Sequence, residues 1–186
     1  STKFLIITAV SGVLILGAFL GIALVTGSAD FGIRPILVGQ MSLFTQLLLM
    51  VALLVGFGIK IPLFPFHTWL PDAHTEASTP VSVLLAGVLL KLGTYGLLRF
   101  CLGLFPEAWS VAAPWLAGWA AISVLYGSLA AIAQTDMKRM VAYSSVGHMG
   151  YVLLAAAAAT PLAIMGSLFQ MVSHGLISAV LFLAVG

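Results

Sequence analysis

Four ionisable side chains stand where the surrounding sequence is apolar: Lys60, Lys91, His148 and His174. Lys91 sits between Leu90 and Leu92, about ten residues from either end of the apolar run Pro80–Cys101. A lysine at the centre of a membrane helix costs about 2.5–3.5 kcal/mol on insertion scales. Snorkelling to the headgroups relieves that cost only near helix ends, so Lys91 points to a use for its charge. His148 lies in SSVGHMGY and His174 in QMVSHGLIS. Histidine titrates near neutrality and passes a proton between its two nitrogens, and a buried lysine can also exchange one. Such groups in successive helices, bridged by water, have the composition of an intramembrane proton relay. A hydrogen bond within the bundle accounts equally well for either histidine taken alone, and the set is what favours the relay. Ser144, Ser145, Ser173 and Tyr151 are polar neighbours that read as helix–helix hydrogen-bond partners.

Other chemistries fail on spacing. His67 and His74 with Asp72 and Glu76 lack any metal-ligand pattern such as HExxH. Gly-rich phosphate loops, a GxSxG elbow and a CxxCH haem motif are missing from the sequence. The single cysteine, Cys101, excludes an internal disulfide and reads as a packing residue. A net charge of +2 gives no argument for nucleic acid.

The elements that position these residues are membrane helices. Only 6% of the 186 residues are charged and 62% are hydrophobic, against roughly 25% charged in soluble domains. Six spans are expected, near Phe4–Val25, Met41–Ile59, Pro80–Cys101, Pro114–Ala133, Met140–Ala159 and Leu162–Val185. The connections are short, so residues 1–186 read as a single all-α membrane domain. The first run is too long for a signal peptide and no A-x-A site follows it. With no initiator methionine and an end at Gly186 inside an apolar run, the chain reads as a piece of a longer protein. Gly93-x-x-Gly96 and Gly147-x-x-Gly150 allow close helix approach.

After Lys60 the chain stays apolar, yet Pro62, Pro65 and Pro71 obstruct a continuous helix. One reading is a discontinuous helix that breaks and restarts at membrane depth, the mark of an ion or substrate site. The other is a plain helix end followed by a proline-rich loop. Asp72 and Glu76 are candidate caps of the restarting helix. Lys3, Lys138 and Arg139, with Asp72 and Glu76, are expected on one side, and Arg34 and Arg99 on the other. The lysine and arginine balance puts the first side in the cytoplasm.

PFHTWLPDAHTEASTPVSVLLAGVLLKLGTYGLLRF and DMKRMVAYSSVGHMGYVLLA resemble the antiporter-like subunits of proton-pumping NADH:quinone oxidoreductase, the complex I family. LLKLGTYGLLRF and the histidine of SVGHMG are similar to the chain-4, or M-type, branch, and the wording is close to the cyanobacterial and chloroplast plastoquinone version. The resemblance implies an antiporter-like fold with Lys60 on the discontinuous helix, paired with a glutamate of an earlier helix. It makes Lys91 the central relay lysine, His148 and His174 the link to a later ionisable residue, and His67 the histidine of the restarting half-helix. The glutamate and the late ionisable residue are missing from this sequence. The resemblance further implies proton translocation coupled to quinone reduction elsewhere, with no cofactor in this chain. NAD(P)H or ferredoxin, FMN, iron–sulfur clusters and quinone would belong to other subunits. The implied partners are neighbouring antiporter-like membrane subunits and the lipid bilayer, in a bacterial inner membrane or a thylakoid membrane. Two rivals remain: a cation/proton antiporter subunit of the multi-subunit sodium type, and a structural subunit whose buried charges only hold helices together.

Overall fold

The computed structural model describes residues 2–28, 30 and 34–185, and every regular element among them is helical. In chain order these are α1 (Thr2–Thr26), the short α2 (Arg34–Val38), α3 (Leu43–Lys60), α4 (Trp69–Glu76), α5 (Thr79–Leu102), α6 (Pro106–Ile132), α7 (Met137–Ala158) and α8 (Pro161–Val185). All but α2 and α4 are long and apolar enough to cross a membrane. Ser1, Gly186 and the side chain of Arg34, which the orientation argument used, lie outside the described residues.

Local chemistry sets the helix starts. The Ser42 hydroxyl accepts the Thr45 N–H at 3.3 Å, and the Asp136 carboxylate accepts the Arg139 N–H at 2.9 Å. Thr160 does the same for Ala163 at 3.2 Å. Helix α6 corrects the expected start at Pro114. It begins at Pro106, whose missing N–H costs nothing in a first turn, with Glu107 at the positive end of the helix dipole. Trp109 anchors that turn by donating to the Ala156 carbonyl at 3.1 Å. Pro114 is therefore an interior residue. Pro71 is likewise no breaker, since it falls in the first turn of α4. Glu76 is the last residue of α4 and cannot cap its start.

One cluster of buried apolar side chains, including Leu53, Leu63, Leu90, Phe105, Val146 and Leu153, joins the helices. The outer faces are apolar too, with Leu24, Trp115, Ile132 and Leu162 exposed, as suits a bundle in lipid. Burial of apolar surface therefore cannot hold these helices together, and close approach has to. The α6–α7 contact is a case of backbone against backbone. A β-carbon on Gly127 would run into the backbone nitrogen of Gly147. By contrast, nothing lies within 4 Å of a β-carbon on Gly118 in the same helix. We expect Gly127→Ala to destabilise the protein by about 1–3 kcal/mol and Gly118→Ala to be near neutral. Thermal unfolding in detergent checks this, and equal effects at the two sites would contradict the packing argument.

Candidate functional site

The helix break is real, and its first half, Ile61 to Leu63, is buried in protein while Pro65 is exposed. Helix α3 ends at Lys60, and helical geometry resumes as a 3-10 turn at Phe66–Thr68 that runs into α4. Ile61 and Leu63 between them are about as buried as any residue in the core, which excludes a surface loop. Backbone groups freed at membrane depth must find partners. The Trp69 indole donates to the Ile59 carbonyl at 2.9 Å, and the Trp119 indole donates to the Phe64 carbonyl. The Phe64 N–H is taken by the Ser123 hydroxyl at 3.1 Å. Lys60 is half-buried beside Gly93 and faces a small cavity of about 200 Å³ lined by Phe4, Thr8, Leu89 and Leu92. Among the described residues it has no hydrogen-bond or ion-pair partner.

Lys91 is differently placed. Residues Leu85–Leu89 of α5 form a π-turn, in which the Leu90 N–H reaches back to the Leu85 carbonyl instead of Ala86. The Ala86 carbonyl accepts a bond from the Lys91 ammonium. On its other side the Lys91 Nζ lies 2.7 Å from His174 Nδ1. This reach needs α5 close to α8, and Gly87 and Gly175 meet there: a β-carbon on Gly175 would sit 3.3 Å from both the Gly87 carbonyl and Lys91 Cε. His174 Nε2 is 3.1 Å from Ser145 Oγ on α7, and the Ser145 hydroxyl is 3.2 Å from the Val141 carbonyl.

These distances define one directional chain. With Lys91 charged, it donates to Nδ1, so the proton of a neutral His174 sits on Nε2 and is donated to Ser145, which donates to Val141. Moving one proton from Lys91 to Nδ1 keeps each of those contacts. His148 stands beside His174 with ring centroids 5.2 Å apart, and its Nδ1 is 2.9 Å from Gln170 Nε2. It is exposed to an open cavity of about 630 Å³ that also touches Tyr151 and Gln170. Thus Lys91, His174 and His148 come together, and Lys60 does not join them. Lys60 packs against Leu89, Leu92 and Gly93, the side of α5 turned away from α8.

The family model described as NADH:quinone oxidoreductase/Mrp antiporter, transmembrane, matches residues 1–186. The chain belongs to that family. It is 51% identical over 186 residues to NAD(P)H-quinone oxidoreductase chain 4-3 of Nostoc sp., covering 100% of this chain and 33% of the relative. It is 50% identical over 184 residues to chain 4-2 of Synechocystis sp., covering 99% of this chain and 33% of that relative. A chain of respiratory complex I from Thermus thermophilus superposes with a TM-score of 0.86 at 33% identity, over 97% of this chain and 38% of that one. A chain of the Mrp complex from Dietzia sp. reaches a TM-score of 0.88 at 22% identity, over 98% and 34%, and shows the shared fold alone. This member of the NADH:quinone oxidoreductase/Mrp antiporter family spans about a third of the length of its curated relatives. It is a multi-pass protein of the thylakoid or bacterial inner membrane.

Several polar contacts in this antiporter-family chain lay beyond sequence reasoning. Gln170 precedes His174 by one helical turn, a spacing that could have paired them on one face of α8. The indole donors at the break carried no such signal, since Trp119 lies 55 residues from Phe64. The Lys3 ammonium is 3.0 Å and the Arg139 guanidinium 3.8 Å from the Asp72 carboxylate, so these three share one face as expected. Exposed pairs of this kind contribute little to stability. Arg99 is exposed near the far end of α5.

His67 and His74 lie outside the six spans. His67 is buried among Phe64, Tyr126 and Tyr143, and burial, followed by the Lys3 charge, holds it below the usual histidine range. His74 is buried completely. Burial, then the Lys138 charge, pushes it from 6.5 down to about 4. Between those values the unfolded chain binds a proton at His74 that the folded protein refuses, so acid favours unfolding. The contribution is fully present above about 6.5 and is lost as pH falls toward about 4. We expect thermal stability to drop over that window by up to about 3 kcal/mol, and the slope to flatten in His74→Gln. Unfolding curves of the detergent-solubilised protein across the window test it, and an identical slope in the variant would refute it.

Proposed function

We propose that this chain forms part of a proton-translocating membrane subunit of an NAD(P)H:quinone oxidoreductase, in which Lys91, His174 and His148 pass protons through the bilayer. The observation that carries this reading is the 2.7 Å contact of Lys91 Nζ with His174 Nδ1, held between two spans. A structural charge needs a fixed partner, preferably an opposite one. Lys91 instead has two neutral partners, a carbonyl and an imidazole, and one of them can accept its proton. Reduction of quinone and its cofactors belong to other subunits of the assembly, and neighbouring antiporter-like subunits are the partners. The family to which the relatives belong supports this assignment.

The test is Lys91→Met in the full-length subunit. Methionine matches the volume without exchanging a proton, so proton translocation should be lost while the complex still assembles. Normal translocation by an assembled variant would end the relay reading. Failure to assemble would favour a structural role for the buried charge.

In this reading Lys60 also exchanges a proton, held by a carboxylate from elsewhere in the subunit. Lys60→Arg keeps the charge and abolishes the exchange, because arginine stays protonated in proteins. Translocation should fall in the assembled Lys60→Arg complex. If it pumps as the unaltered complex does, Lys60 is a fixed charge and no station on the route.

A further inference from the structure

His74 is the buried titratable group that the relay leaves unused. Neither of its ring nitrogens has a hydrogen-bond partner among the described residues. Leaving a buried polar atom bare costs about 1–3 kcal/mol, and such atoms call for an explanation. Its surroundings supply one. The ring lies flat on Phe182 of α8, with centroids 4.3 Å apart and planes 13° from parallel. Phe182 shares its face of α8 with Ser178 and His174, one and two turns earlier. The buried Ser178 hydroxyl donates to the His174 carbonyl at 2.6 Å. The buried Ser82 hydroxyl of α5 donates to the His74 backbone carbonyl at 3.2 Å. One turn beyond Ser82 is Ala86, whose carbonyl holds the Lys91 ammonium. One buried serine on each helix, Ser82 on α5 and Ser178 on α8, thus lies along the chain between the His74 contacts and the Lys91–His174 pair, and Phe182 is the α8 side chain that covers the His74 ring.

The charged groups around His74 are Asp72 and Glu76 of its own helix, Lys3 of α1, and Lys138 and Arg139 of α7. Of the ionisable groups on α5 and α8, Lys91 and His174 are bonded to each other, and the charge that acts on His74 is that of Lys138. His74 thus links α4, which carries Asp72, to α5 and α8, which carry the buried pair.

We propose that His74 is the proton-loading residue for the Lys91–His174 pair, taking protons from the Asp72–Lys3–Arg139 face, with the Phe182 ring as the apolar barrier between the two. The inference rests on the relay reading above. In the step, a bare ring nitrogen transiently takes a proton from water that enters from that face, and its low proton affinity makes the imidazolium a ready donor. When the Phe182 ring swings aside, the imidazolium gives a proton to water beside Ser178, and His74 returns to neutral. One proton enters and one leaves, with no change of oxidation state.

The test uses the assembled complex in sealed membrane vesicles, with donor-driven proton uptake and quinone reduction followed together. His74→Gln should lose proton uptake by roughly a hundredfold, the low end of what a positioned proton carrier contributes. Lys91→Met is measured alongside. Unimpaired uptake in His74→Gln with loss in Lys91→Met would overturn the loading role and leave the relay standing. Unimpaired uptake in both would overturn both. To separate proton carriage from space filling, imidazole or the similarly shaped but far less basic thiazole is added to His74→Gly. Restoration by imidazole alone is expected, and restoration by both would reduce His74 to a packing residue. Should the His74 variants fail to assemble, Phe182→Ala decides. It should speed the collapse of an imposed pH gradient across resting vesicles, and an unchanged collapse would overturn the barrier and with it the proposal.

Discussion

A polar group left bare in hydrocarbon costs several kcal/mol, and that penalty dictates how this chain can depart from regular helix. Between Lys60 and Phe66 the backbone leaves α-helical geometry at a place enclosed by other helices. Two indoles and one hydroxyl then accept or donate where the helical ladder cannot: Trp69 to Ile59, Trp119 to Phe64, and Phe64 to Ser123. Tryptophan suits the task because its ring is apolar and its single N–H is a donor only. The break is thus fastened to α4 and α6, and Lys60 is fixed at the rim of a break that cannot drift.

The same penalty shapes α5. Its π-turn at Leu85–Leu89 sends the Leu90 N–H to the Leu85 carbonyl, and the Lys91 ammonium takes the Ala86 carbonyl. π-turns inside α-helices recur at functional sites for this reason, since they release a backbone group without ending the helix. Small residues complete the geometry. Gly87 and Gly175 let α5 and α8 come close enough for a lysine to meet a histidine, and Gly127 with Gly147 keeps α7, which carries Ser145 and His148, against α6. Packing and chemistry are therefore one design here, because a bond of 2.7 Å survives no helix displacement of an ångström.

Much of this was legible in the sequence, and the physics says which part. Charges at mid-span are rare and expensive, so Lys91, His148 and His174 announced themselves without any knowledge of the fold. Three prolines after an apolar run announced an interruption, although Pro71 proved to be an ordinary first-turn residue of α4. Pro114 misled in the opposite sense. A proline inside a helix and a proline at its start look alike in sequence, and the anchor that extends α6 backward is the bond from Trp109 to Ala156, made across the fold. The same non-local character hid Trp119, Ser123 and Gln170. His74 was set aside because its spacing fits no metal site, whereas its stacking on Phe182 depends on a residue more than a hundred positions away. The separation of Lys60 from Lys91 also needed three dimensions, because Lys60 of α3 meets one face of α5 while Lys91 reaches α8 from the other.

The choice of partners decides what Lys91 can do. A carboxylate beside a buried ammonium would give an ion pair in which each charge holds the other in its ionised form. Such a pair resists separation, since removing one member leaves an uncompensated charge. An imidazole imposes no such lock. One net charge resides on Lys91 and His174 whichever of them carries the proton, and the Ala86 carbonyl and the Ser145 hydroxyl serve both arrangements. No heavy atom has to move for the exchange, so little reorganisation of the surroundings opposes it. What moves the charge onward must come from outside the pair, through a change in field or in access. Among the described residues, the break at Lys60 lies across α5 from the pair, and Phe182 lies two turns beyond His174 on α8.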